Sequence, residues 1–318
     1  MSAVVPAVVR VLGASLALAA FVLASTAEGQ KLFKYKDANG VWVYTDRQPE
    51  SAQPYEQSKL SKRFEPPEVT LFERQDDASF ALIAKNTFYA PIQLAYRLSQ
   101  TQNVPSSTPR EGLTVLPPRS EVPVIEVGKT TTRQDIGFQY EFQFLPGEPG
   151  AEHRPAQPYR LPFALSTTIA VSQAFPDTKT HGDPGSQYAI DFVMPVGTQV
   201  FAAREGVVID VASGFFEHGT DLHVDGPRAN IVRMLHDDGT MSLYGHLNWN
   251  SIRVVPGQHL ARGEYLADSG NTGFTTGPHL HFVVQRNRGG ALVSVPVEFA
   301  GPGGAPITLR TRETYTAR

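Results

Sequence analysis

The sequence predicts an all-β protein built from several small domains, and three observations indicate this class. Short runs rich in Val, Ile, Phe and Tyr recur about every ten residues, separated by Gly, Pro, Asn and Asp. Residues 160–318 contain no ten-residue stretch with the apolar periodicity of an amphipathic helix. A length of 318 residues gives room for two or three domains.

The first 29 residues have the layout of a secretory signal peptide. Arg10 precedes an apolar run from Val11 to Leu23, and small residues follow as far as Gly29. This run is shorter than the roughly 20 apolar residues that a membrane-spanning helix needs. We therefore expect residues 1–29 to be removed on export. The mature protein would have no membrane span and would lie in the periplasm or be secreted.

Residues 30–60 are expected to form a small β-hairpin module. The dipeptide Asn39-Gly40 is a strong signal for a hairpin turn, and alternating aromatic residues flank it on both sides. The module is similar to a small N-terminal unit of unknown function that is common in exported proteobacterial proteins. The polar, Pro-rich residues 47–66 are typical of a linker.

Residues 67–146 predict a β-sandwich-like domain, because strand-like runs alternate there with turn residues. These runs are Val69–Phe72, Phe80–Ala84, Ile92–Tyr96, Leu113–Leu116, Val122–Ile125 and Phe138–Phe144. The domain contains no cluster of catalytic side chains. A second Pro/Gly-rich stretch, 147–162, is expected to be a linker.

The C-terminal region, 160–300, contains the residues that suggest chemistry. In Gly277-Pro-His-Leu-His-Phe282, His279 and His281 are two positions apart, so an extended strand would place both on one face. His246 and Asp191 come from other strand-like runs. Imidazole suits zinc, and a catalytic zinc takes about three protein ligands and keeps one open position. Asp191 is the best acidic candidate for this site.

Four ordered motifs together resemble the lysostaphin/LytM-type zinc metallopeptidases, which cut peptide cross-links in bacterial cell walls. They are Gln187–Thr198, Tyr244–Leu247, Gly270–Gly273 and Gly277–Phe282. The resemblance covers Phe163 to Val297, under half of the chain. It implies a LytM-type β-sheet peptidase domain in which Asp191 and His281 bind Zn²⁺. It also implies that His246 and His279 are catalytic, that Tyr244 lines the substrate site, and that peptidoglycan peptides are the substrate.

The chain departs from the family pattern at one metal ligand. The family carries H-x-x-x-D, in which both residues bind zinc, but the residue four before Asp191 is Gln187. A Gln amide oxygen is a poor zinc ligand compared with imidazole. His181 lies ten residues before Asp191 on a Gly/Pro-rich stretch, within reach of the site. We expect His181 to supply the third ligand, with His218 and His223 as weaker substitutes.

Composition excludes some functions and leaves alternatives. A net charge of −3 without a basic patch argues against a nucleic-acid partner, and the absence of Cys excludes disulfides and thiolate metal sites. The resemblance predicts a zinc-dependent peptidoglycan endopeptidase. Gln187 leaves open a degenerate LytM-type domain that binds the wall or activates amidases without catalysis. A third hypothesis is that the chain is a scaffold of the cell envelope, whose β-domains bind the wall or envelope proteins as partners.

Overall fold

The structure, a computed structural model, describes residues 7–9, 31–36, 42–45, 54–59, 65–75, 79–128, 136–177 and 179–318. It is nearly all β, as the sequence predicts. The chain divides into two compact units: a smaller one, Ala14–Glu65, and a larger one, which combines Met1–Gly13 with Pro66–Arg318. The predicted turn at Asn39-Gly40 lies outside the described residues, as does the predicted signal peptide apart from residues 7–9.

The strands at the N-terminal end are β1 (Ala7–Val9), β2 (Lys31–Lys36), β3 (Trp42–Thr45) and β4 (Glu56–Lys59). The smaller unit contains an antiparallel sheet in the order β3-β2-β4. The pairing of β2 with β3 is the one that the hairpin prediction requires. β4 was not expected, because its polar sequence lies in the stretch predicted to be a linker.

The larger unit continues with β5 (Val69–Gln75), β6 (Ser79–Asn86), β7 (Ile92–Gln102), β8 (Glu111–Leu116), β9 (Ser120–Gly128) and β10 (Gly137–Pro146). These strands form two antiparallel sheets, in the orders β5-β6-β9 and β1-β10-β7-β8. Side chains from both sheets, including Leu82, Leu94 and Phe138, pack into one apolar core. Two sheets with their apolar faces packed together are the predicted sandwich arrangement.

The remaining strands are β11 (Thr168–Gln173), β12 (Ile190–Phe192), β13 (Gln199–Phe201), β14 (Gly206–Ala212), β15 (His218–Gly219), β16 (Ile231–Leu235), β17 (Met241–Gly245), β18 (His259–Leu260), β19 (Tyr265–Asp268), β20 (Gly273–Phe274), β21 (Leu280–Asn287), β22 (Leu292–Ser294), β23 (Phe299–Ala300), β24 (Pro306–Ile307) and β25 (Thr314–Thr316). The short helix α1 (Leu222–Asp225) precedes a 3₁₀ turn at Gly226–Arg228, and a second such turn spans Pro302–Gly304. Among the described residues, no helix is long and apolar enough to cross a membrane.

A large antiparallel sheet forms the frame of the C-terminal region. Its order is β18-β14-β16-β17-β21-β12-β11-β25, with β22 also paired to β21. The sheet extends past the predicted boundary at residue 300, because β25 pairs with β11 through Thr168 and Thr316. Leu309 and Ala317 are buried as well. A run as short as Thr-Tyr-Thr carries too little periodicity to be predicted.

The segment 147–162 is not an exposed linker. The Tyr159 side chain is only 1% exposed, and its ring lies 6.3 Å from the ring of Phe282. Asn287 donates from its side chain to the carbonyl of Gly147 at 3.0 Å. Pro and Gly are common in linkers but also in ordered extended segments, so composition could not separate the two.

The sandwich packs directly against the C-terminal region. Ala90 is completely buried in a cluster with Ile209, Met241 and Leu292. The backbone N–H of Gly290 donates to the side-chain oxygen of Gln93 at 2.9 Å. The sandwich therefore covers apolar surface of the C-terminal region.

This contact predicts that a fragment of residues 160–318 is less stable than residues 66–318. The shorter fragment loses the buried ring of Tyr159 and uncovers part of Met241 and Ile209. We expect a loss of about 3 kcal/mol or more in the free energy of unfolding, measured by denaturant titration. A fragment of residues 147–318 keeps Tyr159 and isolates the contribution of the sandwich. Equal stability of 66–318 and 160–318 would contradict the prediction.

Candidate functional site

The register of neighbouring strands brings the predicted site residues together. Asp191 of β12 pairs with His281 of β21, and His281 pairs with Gly245 at the end of β17. Directly opposed residues project from the same face of a sheet. His279 lies two positions before His281 and so shares its face. His246 follows Gly245 at the end of β17, where a φ of 57° takes the chain out of the extended strand conformation, and its ring lies 5.8 Å from the ring of His281.

Two imidazoles contact the carboxylate of Asp191. His181 Nε2 lies 3.2 Å from one carboxylate oxygen, and His281 Nδ1 lies 3.0 Å from the other. The rings of His181 and His281 are edge to face, with centroids 5.0 Å apart. One possible ligand atom from each of these three residues lies within 4.8 Å of the others. His181 is 3% exposed and Asp191 is 7% exposed, so this cluster is buried.

Gln187 lies apart from this cluster, at an exposed position. Its backbone N–H donates to the carbonyl of Asp183 at 3.0 Å, in a tight turn of the loop between His181 and Asp191. This turn folds the loop back and brings His181 to the carboxylate. His218 and His223, the weaker substitutes, occupy exposed positions in β15 and α1.

Hydrogen bonds hold Asp191 in its ionised form. Burial raises the pKa of the carboxyl, but hydrogen bonds from His181 and His281 outweigh burial and keep the pKa well below its ordinary value. Burial lowers the pKa of His281, and Asp191 offsets this only in part. A carboxylate beside a neutral imidazole is the protonation state in which these groups bind a metal.

His246 is held in a defined tautomer. Its Nδ1–H donates to the carbonyl of Thr272 at 2.7 Å, which leaves the lone pair on Nε2. Burial, followed by the charges of His279 and His281, lowers the pKa of His246 to about 3. The ring is therefore neutral at neutral pH. The backbone of His246 has a φ of 57°, a left-handed conformation that is uncommon for a residue with a side chain and is often found at functional sites.

His279 is oriented in a similar way by the turn before it. Its Nδ1–H donates to the carbonyl of Gly277 at 2.8 Å, and its Nε2 lies 3.7 Å from an oxygen of Asp191. The rings of His246 and His279 are 4.5 Å apart between centroids. Both rings therefore turn their Nε2 edge away from the backbone carbonyl that holds them.

Zinc fits the set formed by His181, Asp191 and His281. Donor atoms about 2.1 Å from a tetrahedral zinc are about 3.4 Å from one another. His181 Nε2 lies 3.2 Å from one Asp191 oxygen and His281 Nδ1 lies 3.0 Å from the other, and one possible ligand atom from each of the three residues lies within 4.8 Å of the others. The three donors are therefore near the spacing that a bound zinc requires, though not yet at it. One carboxylate and two imidazoles also match the oxygen and nitrogen ligands of catalytic zinc sites.

Tyr244 does not line this site. Its side chain is 0% exposed, and its hydroxyl accepts a hydrogen bond of 2.7 Å from the backbone N–H of Ala203. Its ring packs on Phe282, with centroids 5.2 Å apart. The expected contact with substrate is therefore corrected: Tyr244 belongs to the core and supports the strand that ends just before His246.

Sequence reasoning missed the residues that hold the turns beside His246 and His279. Asn230 is completely buried, and its backbone N–H donates to the hydroxyl of Thr272, whose carbonyl holds His246. The hydroxyl of Thr275 accepts from Gly277 N–H, next to the carbonyl that holds His279. The Gly270–Gly273 motif gave no sign of which hydroxyl or carbonyl would face a histidine.

Comparison with known families identifies two regions of the chain. Residues 185–292 match the model of Peptidase family M23, and residues 19–67 match a domain of unknown function, DUF4124. The second match spans the whole of the expected hairpin module, residues 30–60.

Among curated proteins, the chain is 39% identical over 93 residues to the peptidoglycan DD-endopeptidase ShyA of Vibrio cholerae, covering 29% of this chain and 18% of that protein. It is 31% identical over 99 residues to lysostaphin of Staphylococcus simulans, covering 31% of this chain and 18% of lysostaphin. The matched region is thus less than a fifth of either relative. The solved catalytic domain of lysostaphin matches with a TM-score of 0.27 and 27% identity, covering 38% of this chain and 81% of that domain. The family and protein matches confirm the resemblance that the motifs indicated.

Proposed function

We propose that this chain, whose residues 185–292 form a domain of Peptidase family M23, is a zinc-dependent endopeptidase that cleaves peptide cross-links of bacterial peptidoglycan. The observation that carries the proposal is the buried contact of His181 and His281 with Asp191, beside His246 and His279. The names of the similar proteins, a peptidoglycan DD-endopeptidase and lysostaphin, support this class of substrate. A substrate in the cell wall requires a location outside the cytoplasm.

His181, Asp191 and His281 would hold the zinc ion. When bound at such a site, zinc acts as a Lewis acid towards a carbonyl and makes water nucleophilic at neutral pH. Asp191 stays ionised for this role because its two histidine partners stabilise the carboxylate.

His246 and His279 would handle the proton and the developing charge. The neutral His246, with Nδ1–H held by Thr272, presents Nε2 as a proton acceptor for the attacking water. His279, with Nδ1–H held by Gly277, directs Nε2 into the same space, where a protonated Nε2 would donate to the oxyanion of the tetrahedral intermediate. His246 would then pass the proton taken from the water to the peptide nitrogen as the C–N bond breaks.

Metal analysis combined with a wall-digestion assay tests the proposal. The purified chain should contain about one zinc per molecule and release soluble peptides from isolated peptidoglycan. A chelator should stop the release, and added zinc should restore it. A chain that folds but retains no zinc and releases no peptides would favour the non-enzymatic alternative, to which Gln187 points.

Replacing His279 with alanine is expected to reduce peptide release about 10²- to 10³-fold while most of the zinc is retained. The reason is that His279 would stabilise charge only as the reaction proceeds, whereas the ligand set remains intact. Zinc content and the rate of peptide release are measured on the same preparation. The matched control is His259→Ala. His259 is exposed on the edge strand β18, which is separated from β21, the strand of His281, by β14, β16 and β17. Loss of zinc in His279→Ala would contradict this division of roles.

A further inference from the structure

His181 lacks the hydrogen bond that usually orients a metal-binding imidazole. Such rings ordinarily donate their second N–H to a carboxylate, a carbonyl or water. Nδ1 of His181 is buried and has no hydrogen-bond partner within the described part of the chain. His246 and His279, in contrast, are both held through Nδ1 by a backbone carbonyl. Apart from its contacts with Asp191 and His281, the placement of His181 therefore depends on the backbone of its own loop.

Side chains of the sheet hold that loop, residues 180–189, at several points. At its start, Gln173 of β11 donates to the hydroxyl of Thr180 at 3.1 Å. In its middle, Ser294 of β22 donates from its hydroxyl to the carbonyl of Pro184 at 2.8 Å. Next to this point, Gln285 of β21 donates to the carbonyl of Gly185 at 2.7 Å. The loop is therefore held to the same strand that carries His281.

Gln285 is placed for this contact by strand geometry and by a buried cation. It lies four residues after His281 on β21, so both side chains project from the same face. Arg233 of β16 is buried and donates to the Gln285 side-chain oxygen at 2.6 Å. With its oxygen directed at the guanidinium, the amide has its nitrogen free to face Gly185. Asp210, opposite Arg233 in the register, supplies a nearby carboxyl group.

We propose that Gln285, oriented by Arg233, is a positioning residue that holds the loop 180–189 so that His181 faces Asp191. This inference rests on the proposed function for its link to zinc, but the placement of the loop is independent of any metal. A ligand ten residues from Asp191 has a longer flexible tether than one at position 187. Ordering that tether costs conformational entropy, which the hydrogen bonds from Gln285 and its neighbours offset.

The test is Gln285→Glu, compared with Asn287→Asp on the same strand. The glutamate keeps an oxygen for Arg233 but has no donor for the carbonyl of Gly185. Asn287 donates to the carbonyl of Gly147, which belongs to a segment without a metal ligand. The two variants therefore make the same chemical change on one strand and release different segments.

We expect Gln285→Glu to raise the dissociation constant for zinc about 10- to 100-fold. In metal-free protein, amide hydrogen exchange in residues 180–189 should become roughly tenfold faster, with smaller changes elsewhere. Asn287→Asp should leave both quantities within about twofold of the unmodified chain, because the segment that it releases carries no metal ligand. Gln285→Asn, which shortens the side chain by one carbon, provides the same comparison if Gln285→Glu does not fold.

Unchanged exchange of the loop in the Gln285 variants would overturn the inference, as would equal effects in Asn287→Asp. If the unmodified chain binds no zinc, the proposed function fails. Exchange in the metal-free loop still decides whether Gln285 positions it. Faster exchange confined to residues 180–189 would then support the positioning role by itself.

Discussion

Replacing His281 with alanine is expected to abolish zinc retention and peptidoglycan hydrolysis together. His281 contributes one of three proposed protein ligands, and its Nδ1 lies 3.0 Å from Asp191. If three ligands share a binding free energy of about 12 kcal/mol, the loss of one weakens binding by about 4 kcal/mol, roughly a thousandfold in Kd. Metal analysis after dialysis and peptide release from isolated peptidoglycan measure the two losses.

The fold must be checked in the same experiment, because the substitution also removes a partner of a buried carboxylate. Asp191 would keep its contact with His181 but lose one hydrogen bond, at a cost of about 1–3 kcal/mol. Zinc should therefore be measured on the folded fraction, with His279→Ala as the comparison that changes a neighbouring imidazole on the same face. Stoichiometric zinc in folded His281→Ala would show that the ligand set is assigned wrongly.

The side-by-side placement of His279 and His281 could be predicted from sequence because a strand alternates faces with a period of two. Their meeting with Asp191 could not be derived in this way. Asp191 and His281 are 90 residues apart, and their contact depends on the register between β12 and β21. Only the resemblance to a known family indicated that long-range pairing.

Tyr244 shows where a motif misleads. It lies two residues before His246, which suggested a place in the site. However, β17 is covered on both faces, and the Tyr244 side chain is buried against Phe282. Sequence adjacency to a proposed catalytic residue does not decide which face of a strand is open. The Gln285 contact is also invisible in the sequence, because it joins a strand to a carbonyl 100 residues away.

The two-sheet core of residues 67–146 could be predicted from the sequence, whereas its packing against the C-terminal region could not. The apolar runs of 67–146 form the expected two-sheet core, since alternation along each strand determines which side chains face inward. The packing of Ala90 on Met241 and Ile209 was not predicted, because a small buried alanine carries no signal of long-range contact. These contacts hold the sandwich against the C-terminal region, so residues 147–162 are not the linker that their composition predicted.

Replacing His181 with alanine is expected to remove zinc, whereas Gln187→Ala should retain it. His181 is buried, with Nε2 3.2 Å from Asp191, while Gln187 is exposed on the outside of the same loop. Without His181 only one carboxylate and one imidazole remain, and two protein ligands hold zinc far more weakly than three. We expect a loss in affinity on the order of a thousandfold for His181→Ala, measured by competition with a chelating dye.

Gln187→Ala is the matched control, because it changes the same loop and removes a side chain at the position where the resembled family carries its ligand. Its backbone N–H still donates to Asp183, so the turn that brings His181 back should persist. The double variant His181→Ala, Gln187→His then asks whether a ligand at position 187 restores binding. Retained zinc in His181→Ala would show that His181 does not replace the metal ligand that the resembled family carries at position 187. Equal loss in both single variants would show that the loop, rather than the imidazole of His181, sets the affinity.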